Sequence, residues 1–169
     1  IWGELWPGVG GAALQWVRLA ESRRLWATRE RLGDGEMTTL TRSYTFSAAH
    51  RLASPRLTEE ENFAFFGKCS NVHGHGHDYV VEVTVGGEVD ERTGMLMDLD
   101  ELDRVVQEEV LDRFDRRFLN YDTEEFSRLN PTSENLARVI WGRLSPRLGG
   151  RLVKVGVRET ERNYFEYKE

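Results

Sequence analysis

The sequence is short of several things, and each shortage excludes something. With one cysteine, Cys69, among 169 residues, no intramolecular disulfide and no multi-cysteine zinc cluster can form. Four prolines and no low-complexity tract argue against a disordered, collagenous or linker-like chain. Uninterrupted apolar runs reach only strand length, far below the roughly 20 residues a membrane-crossing helix needs. Positive charge is not in excess. The 23 Lys and Arg against 29 Asp and Glu leave a net charge of −6, so the chain as a whole attracts neither nucleic acid nor an anionic membrane. A local basic pocket could still hold a phosphorylated small molecule. The unpaired thiol and the lack of a secretory leader pattern make the cytoplasm the expected location.

What is present suffices for one ordinary domain: 39% hydrophobic and 31% charged residues can bury a core and keep a polar surface. Residues 1–36 stand apart. They carry Trp2, Trp6, Trp16 and Trp26, and Met37 opens a run that reads like a natural beginning. Glu4, Glu21, Glu30 and Asp34 argue against an organelle transit peptide. This segment reads as an N-terminal appendage without catalytic role, its residues Ala12–Leu32 expected as one helix ended by Gly33 and Gly35. An amphipathic docking helix is the competing reading. Residues 37–169 form the expected domain.

Within that domain, Leu40, Tyr44, Phe46 and Ala48 alternate with polar residues as a half-buried strand, with His50 at its end. Thr58-Glu-Glu-Glu marks a short helical turn. Tyr79, Val81, Val83 and Val85 share one face of a second strand, and Gly94-Met-Leu-Met reads as a short third. Asp98 is placed to cap a helix carrying Leu102, Val105, Val106, Val110 and Leu111. Thr132 or Ser133 caps another, with Leu136, Val139, Ile140 and Leu144 facing inward. Strands through Val153–Val157 and Tyr164–Tyr167 follow. The expected fold class is α+β, an antiparallel four-stranded sheet with two helices on one face. No Gly-rich phosphate loop follows a strand, which disfavours a dinucleotide-binding fold.

The four histidines are His50, His73, His75 and His77, three of them within five residues. His75 and His77 alternate on an extended segment, so both imidazoles project to one face and can reach one ion. His50, at the end of the first strand, is the natural third ligand if the two strands pair. Three protein ligands and an open position is the common plan of a catalytic zinc site. His73-Gly-His75 repeats the same spacing, and spacing alone does not separate the two pairs; 75 and 77 are preferred because they run straight into the strand. Cys69 sits in a polar loop beside Lys68, where a thiol can lose its proton and act as base or nucleophile.

Taken in order, Phe46-Ser-Ala-Ala-His50-Arg-Leu, Phe66-Gly-Lys-Cys69, His75-Gly-His77-Asp-Tyr79, Gly94-Met-Leu-Met-Asp98-Leu, Pro131-Thr-Ser-Glu-Asn135 and Val157-Arg-Glu159-Thr resemble the 6-pyruvoyl-tetrahydropterin synthase family, which includes 6-carboxy-tetrahydropterin synthases. The resemblance runs from about residue 42 to the end. It implies the tunnelling fold, assembled into a barrel-forming homo-oligomer (a hexamer in the family), with Zn2+ held by His50, His75 and His77. It also implies that Cys69 acts as base toward the substrate side chain. Glu159 then anchors the pterin ring, and Thr132 and Ser133 line its pocket. A carboxylate suits the ring because it accepts two parallel hydrogen bonds from adjacent N–H donors. The family pairs its cysteine with an Asp-His dyad; here Asp115 is kept and the histidine position is Arg116, which cannot relay a proton near neutral pH.

Three functions follow. The first is a zinc-dependent lyase that converts 7,8-dihydroneopterin triphosphate to 6-pyruvoyl-tetrahydropterin and releases triphosphate. The second is a 6-carboxy-tetrahydropterin synthase acting on the same substrate toward deazapurine nucleosides such as queuosine. The third is a low-activity zinc-dependent pterin-binding protein, motivated by Arg116. The long loop between His50 and Cys69, and a cysteine six residues before His75, look like the pyruvoyl type. The carboxy type places its cysteine four before the first ligand, which would fit if His73 and His75 were the ligands.

Overall fold

The computed structural model describes residues 15–32 and 35–169. Its strands are β1 (Trp16–Ser22), β2 (Leu25–Leu32), β3 (Gly35–His50), β4 (His75–Gly87), β5 (Arg117–Phe118), β6 (Leu152–Thr160) and β7 (Asn163–Tyr167). Its main helices are α1 (Glu59–Phe66), α2 (Leu99–Val106) and α3 (Ser133–Leu148). The sheet runs β1-β2-β3-β4-β6-β7, with each neighbour antiparallel, and β5 lies parallel to β3. No described helix is long and apolar enough to cross a membrane.

Alternation dictates which face is buried. Tyr79, Val81, Val83 and Val85 of β4 meet Val155 and Val157 of β6 in one apolar layer, with Phe46 and Ala48 from β3. Leu102, Val105 and Val106 of α2 and Leu136, Ile140 and Leu144 of α3 close over it, so both helices cover one face of the sheet, as expected from their apolar stripes. Thr132 caps α3 by accepting from Asn135 N, and Gly149 ends it in the left-handed region at φ 58°. Thr58 and Glu61 form a reciprocal capping box at the start of α1. On the helix-free face, Thr41 and Thr84 bury their hydroxyls against each other at 2.9 Å, which satisfies two polar groups at once.

The sheet has seven strands rather than four. The helix expected over Ala12–Leu32 is instead, from Trp16 on, the β1–β2 hairpin; Ala12 and Gly33 lie outside the described residues. The reason is a long exposed ladder. β3 runs for 16 residues, and β2 supplies partners for its first half from Leu25 opposite Arg42 to Leu32 opposite Gly35. Where β2 ends, residues 115–118 take over the same edge: Arg116 N donates to Ser47 O, and β5 pairs with Ala48 and Ala49. Gly94–Met97 is not a strand. Asp90 gathers that loop by accepting from Arg92 N and Thr93 N, while its backbone bonds Gly94 and Met95, so the segment closes on itself.

If α3 is the lid of this core, Leu144→Ala, at a fully buried position, is expected to cost about 2–5 kcal/mol. Urea denaturation of the purified chain measures it. A loss below about 1 kcal/mol would mean α3 is not packed as described.

Candidate metal centre

The β3–β4 register sets His50 opposite His75 and Ala48 opposite His77. Because successive side chains alternate, all three imidazoles fall on the helix-covered face, at the end of the apolar layer. Glu159, near the end of β6, reaches the same point. One ligand atom from each of His50, His75, His77 and Glu159 lies within 4.8 Å of the others, so the four together could hold a metal ion. His50 Nε2 is 3.0 Å from His75 Nε2 and 3.0 Å from Glu159 Oε1, and His77 Nε2 is also 3.0 Å from that oxygen.

Two further features fit a cation. His50 is fully buried, and its Nδ1 lies 2.8 Å from Pro131 O. A carbonyl only accepts, so Nδ1 carries the hydrogen and the ring is oriented with Nε2 toward the cluster, the arrangement that serves ligating histidines. His77 Nε2 is buried without a hydrogen bond, despite its closeness to Glu159. A buried imidazole nitrogen without a partner is costly unless something else takes its lone pair.

Gly74 explains the odd motif. It sits at φ 67°, and a Cβ there would lie 2.5 Å from the Phe118 ring and 2.7 Å from His50 O. The chain must therefore turn at Gly74 before β4 begins. That turn leaves His73 exposed, its N–H donating to Asn71 Oδ1, while His75 and His77 enter the strand.

Outer contacts orient the carboxylate. Glu159 Oε2 accepts from Ser133 Oγ at 2.8 Å and from Asn163 Nδ2 at 2.6 Å, leaving Oε1 toward the histidines. Burial alone would raise the Glu159 pKa, but the contacts with His50 and Ser133 and the nearby imidazoles pull it down to about 2. His75 and His77 are both held below the ordinary histidine value, first by burial and then by repulsion from the neighbouring rings, against the pull of Glu159. Neutral imidazole, the ligating form, is therefore favoured.

Cys69 lies in the single turn Gly67–Ser70, and its carbonyl accepts from Leu52 N, two residues past His50. Arg51 Nε donates to Ser70 O and ties the same turn to the end of β3. The thiol is half-buried, and burial together with the Glu159 charge pushes its pKa up. Lys68 does not offset this.

The structure thus gathers His50, His75, His77, Glu159 and Ser133, with Cys69 alongside; Thr132 stands next to Ser133 as the helix cap. Asp115 and Arg116 are engaged elsewhere. Asp115 Oδ1 accepts from Ser47 N at 2.9 Å, and Arg116, exposed, has its Nε 3.7 Å from Asp115 Oδ2. Among the described residues Arg116 is the non-glycine with positive φ, at 59°. Pro131 and Asn163 escaped sequence reasoning. A backbone carbonyl carries no side-chain signal, and Asn163 acts only because the β6–β7 turn folds it back on Glu159.

Comparison with known proteins bears on this group. The family model for 6-pyruvoyl tetrahydropterin synthase matches residues 39–169. The chain is 45% identical over 131 residues to the 6-pyruvoyl tetrahydrobiopterin synthase of Drosophila melanogaster, covering 76% of this chain and 78% of that protein. It is 36% identical over 126 residues to a putative 6-carboxy-5,6,7,8-tetrahydropterin synthase of Archaeoglobus fulgidus, covering 75% of this chain and 91% of that one. The solved 6-pyruvoyl tetrahydropterin synthase of Caenorhabditis elegans superposes with a TM-score of 0.75 at 43% identity, over 79% of this chain and 96% of its own.

Three measurements check the centre. Metal analysis after zinc loading should find zinc lost in His50→Ala and His77→Ala but kept in His73→Ala and Glu159→Gln; retention in His77→Ala with loss in His73→Ala would reverse the ligand assignment. Because His75 and His77 bind protons more weakly than the ordinary value of about 6.5, zinc should be released only below that pH. In protein stripped of metal, Cys69 should react with iodoacetamide more slowly at pH 8 than free cysteine does, and a faster reaction would contradict the raised thiol pKa.

Proposed function

Because the chain belongs to the 6-pyruvoyl tetrahydropterin synthase family, we propose that it is a zinc-dependent lyase. It takes 7,8-dihydroneopterin triphosphate to 6-pyruvoyl-tetrahydropterin with loss of triphosphate. The observation that carries the reading is the convergence of His50, His75 and His77 with Glu159, beside the single cysteine. Bound zinc would supply Lewis-acid polarisation of the hydroxylated side chain, acidifying its carbon-bound hydrogens.

The chain's own residues do the rest. Cys69 takes and returns protons at the side-chain carbons. Its thiol is raised by burial and by Glu159; a bound cation would offset the carboxylate's charge and so make the thiolate more accessible. Glu159, ionised and aimed by Ser133 and Asn163, receives the amino-pyrimidine edge of the pterin, and Thr132 and Ser133 border that pocket. Asp115 enters as the remaining member of the family's dyad. Arg116 contributes charge without a transferable proton. The homo-oligomer, hexameric by family resemblance, and the cytoplasmic location belong to this same reading.

The carboxy-type reaction is the second reading. Its support is the 36% identity to the Archaeoglobus protein. The higher identity to the Drosophila protein and the six-residue spacing from Cys69 to His75 favour the pyruvoyl type.

Incubating zinc-loaded protein with dihydroneopterin triphosphate and identifying the products separates these. Triphosphate with the pyruvoyl pterin is expected; acetaldehyde would assign the carboxy route, and tight pterin binding without turnover would reduce the chain to a binding protein. Arg116→His should raise turnover by about tenfold or more, given that general acid–base help is typically worth about 10² to 10⁴. An unchanged rate would mean that no dyad histidine is needed.

A further inference from the structure

Two glycines in the left-handed region bracket the stretch that carries Cys69, Gly67 at φ 54° and Gly74 at φ 67°. Between them the chain makes one short turn, Gly67–Ser70, and then a loop. A thiol on so short a turn needs outside ties to stay in place, because zinc takes thiolate readily as a ligand. Cys69 Sγ is nevertheless not among the ligand atoms of His50, His75, His77 and Glu159 that gather within 4.8 Å of one another.

The ties come from Arg51, the residue after His50. Its Nε donates to Ser70 O at 2.7 Å and its Nη2 donates to Glu59 at the start of α1, with the side chain only 15% exposed. Its backbone is clamped in turn. Arg51 N donates to Asn120 Oδ1 at 2.8 Å, and Asn120 Nδ2 donates to Arg51 O at 3.0 Å. Leu52 N adds a bond to Cys69 O at 2.8 Å. A planar guanidinium that meets two acceptors fixes direction as well as distance. The pull on the thiol proton comes from burial and from Glu159, so Arg51 acts on Cys69 through the backbone and not through charge.

We propose that Arg51 is a positioning residue for Cys69: it holds the cysteine turn against the end of β3, so that the thiol stands beside the histidine cluster and not on a metal bound there. That consequence rests on the metal reading proposed above, whereas the restraint itself rests on hydrogen bonds alone. Arg51→Met keeps the aliphatic stem and removes both donors. Glu59→Ala, at a carboxylate 68% exposed, releases one of them without touching the core. In metal-free protein, alkylation of Cys69 by iodoacetamide should speed up about fivefold in Arg51→Met, the factor given by one hydrogen bond of ordinary strength, and by less in Glu59→Ala. With cobalt(II) loaded in place of zinc, Arg51→Met should show a cobalt–thiolate charge-transfer band in the near ultraviolet. The parent should lack that band, and Arg51→Met combined with Cys69→Ser should lose it. Alkylation at the parent rate in Arg51→Met, or in Glu59→Ala should the first variant not fold, would overturn the proposal. Faster alkylation without the band would overturn the claim that the tie keeps sulfur off the ion. A parent that binds no cobalt would sink the metal reading instead, and the alkylation rates would still decide whether Arg51 holds the turn.

Discussion

The pairing of β3 with β4 decides whether the candidate site exists. His50 opposite His75 and Ala48 opposite His77 put three imidazoles on one face. A shift of β4 by one residue would send His75 and His77 to the other face and turn Val81, Val83 and Val85 out of the core together. The register is therefore held by the whole apolar layer under α2 and α3, and not by the histidines, which repel one another when protonated. Gly74 marks the end of that register: with φ 67° and no room for a Cβ against Phe118, it lets the loop drop into β4 just before His75.

Around this frame, polar contacts settle orientation and charge. Pro131 aims His50, while Ser133 and Asn163 aim Glu159, and all three come from the start of α3 or the last hairpin. The carboxylate in turn acts in two directions. With the imidazoles it could hold a cation, and it discourages ionisation of Cys69. Under the proposed function, positive charge at the cluster would oppose the carboxylate's effect and favour the thiolate of Cys69.

Much of this was legible in the residues. The period-two runs from Leu40 to His50 and from His77 to Val85 announced two strands, and their histidines announced the site, because alternation alone assigns a face. Thr58, Asp98 and Thr132 marked helix starts by capping chemistry that acts within one turn. Other features depend on distant partners. Residues 16–32 carry apolar side chains compatible with either a helix or a strand, their turn at Arg23-Arg24 lacks Gly and Pro, and the unfilled edge of β3 decides for strand. Asp115 and Arg116 took their expected role from family likeness, whereas in the chain they also close the β3 edge through Ser47. Asn163 and the Pro131 carbonyl acquire meaning only once β6, β7 and α3 are packed.

X-ray absorption spectroscopy of the zinc-loaded chain reads the ion's neighbours directly. The account predicts a first shell of imidazole nitrogen with light oxygen donors, lost on His50→Ala, and no sulfur. A sulfur neighbour would make Cys69 a ligand instead of a base, and a shell lacking imidazole would contradict the convergence of β3 and β4 on one ion.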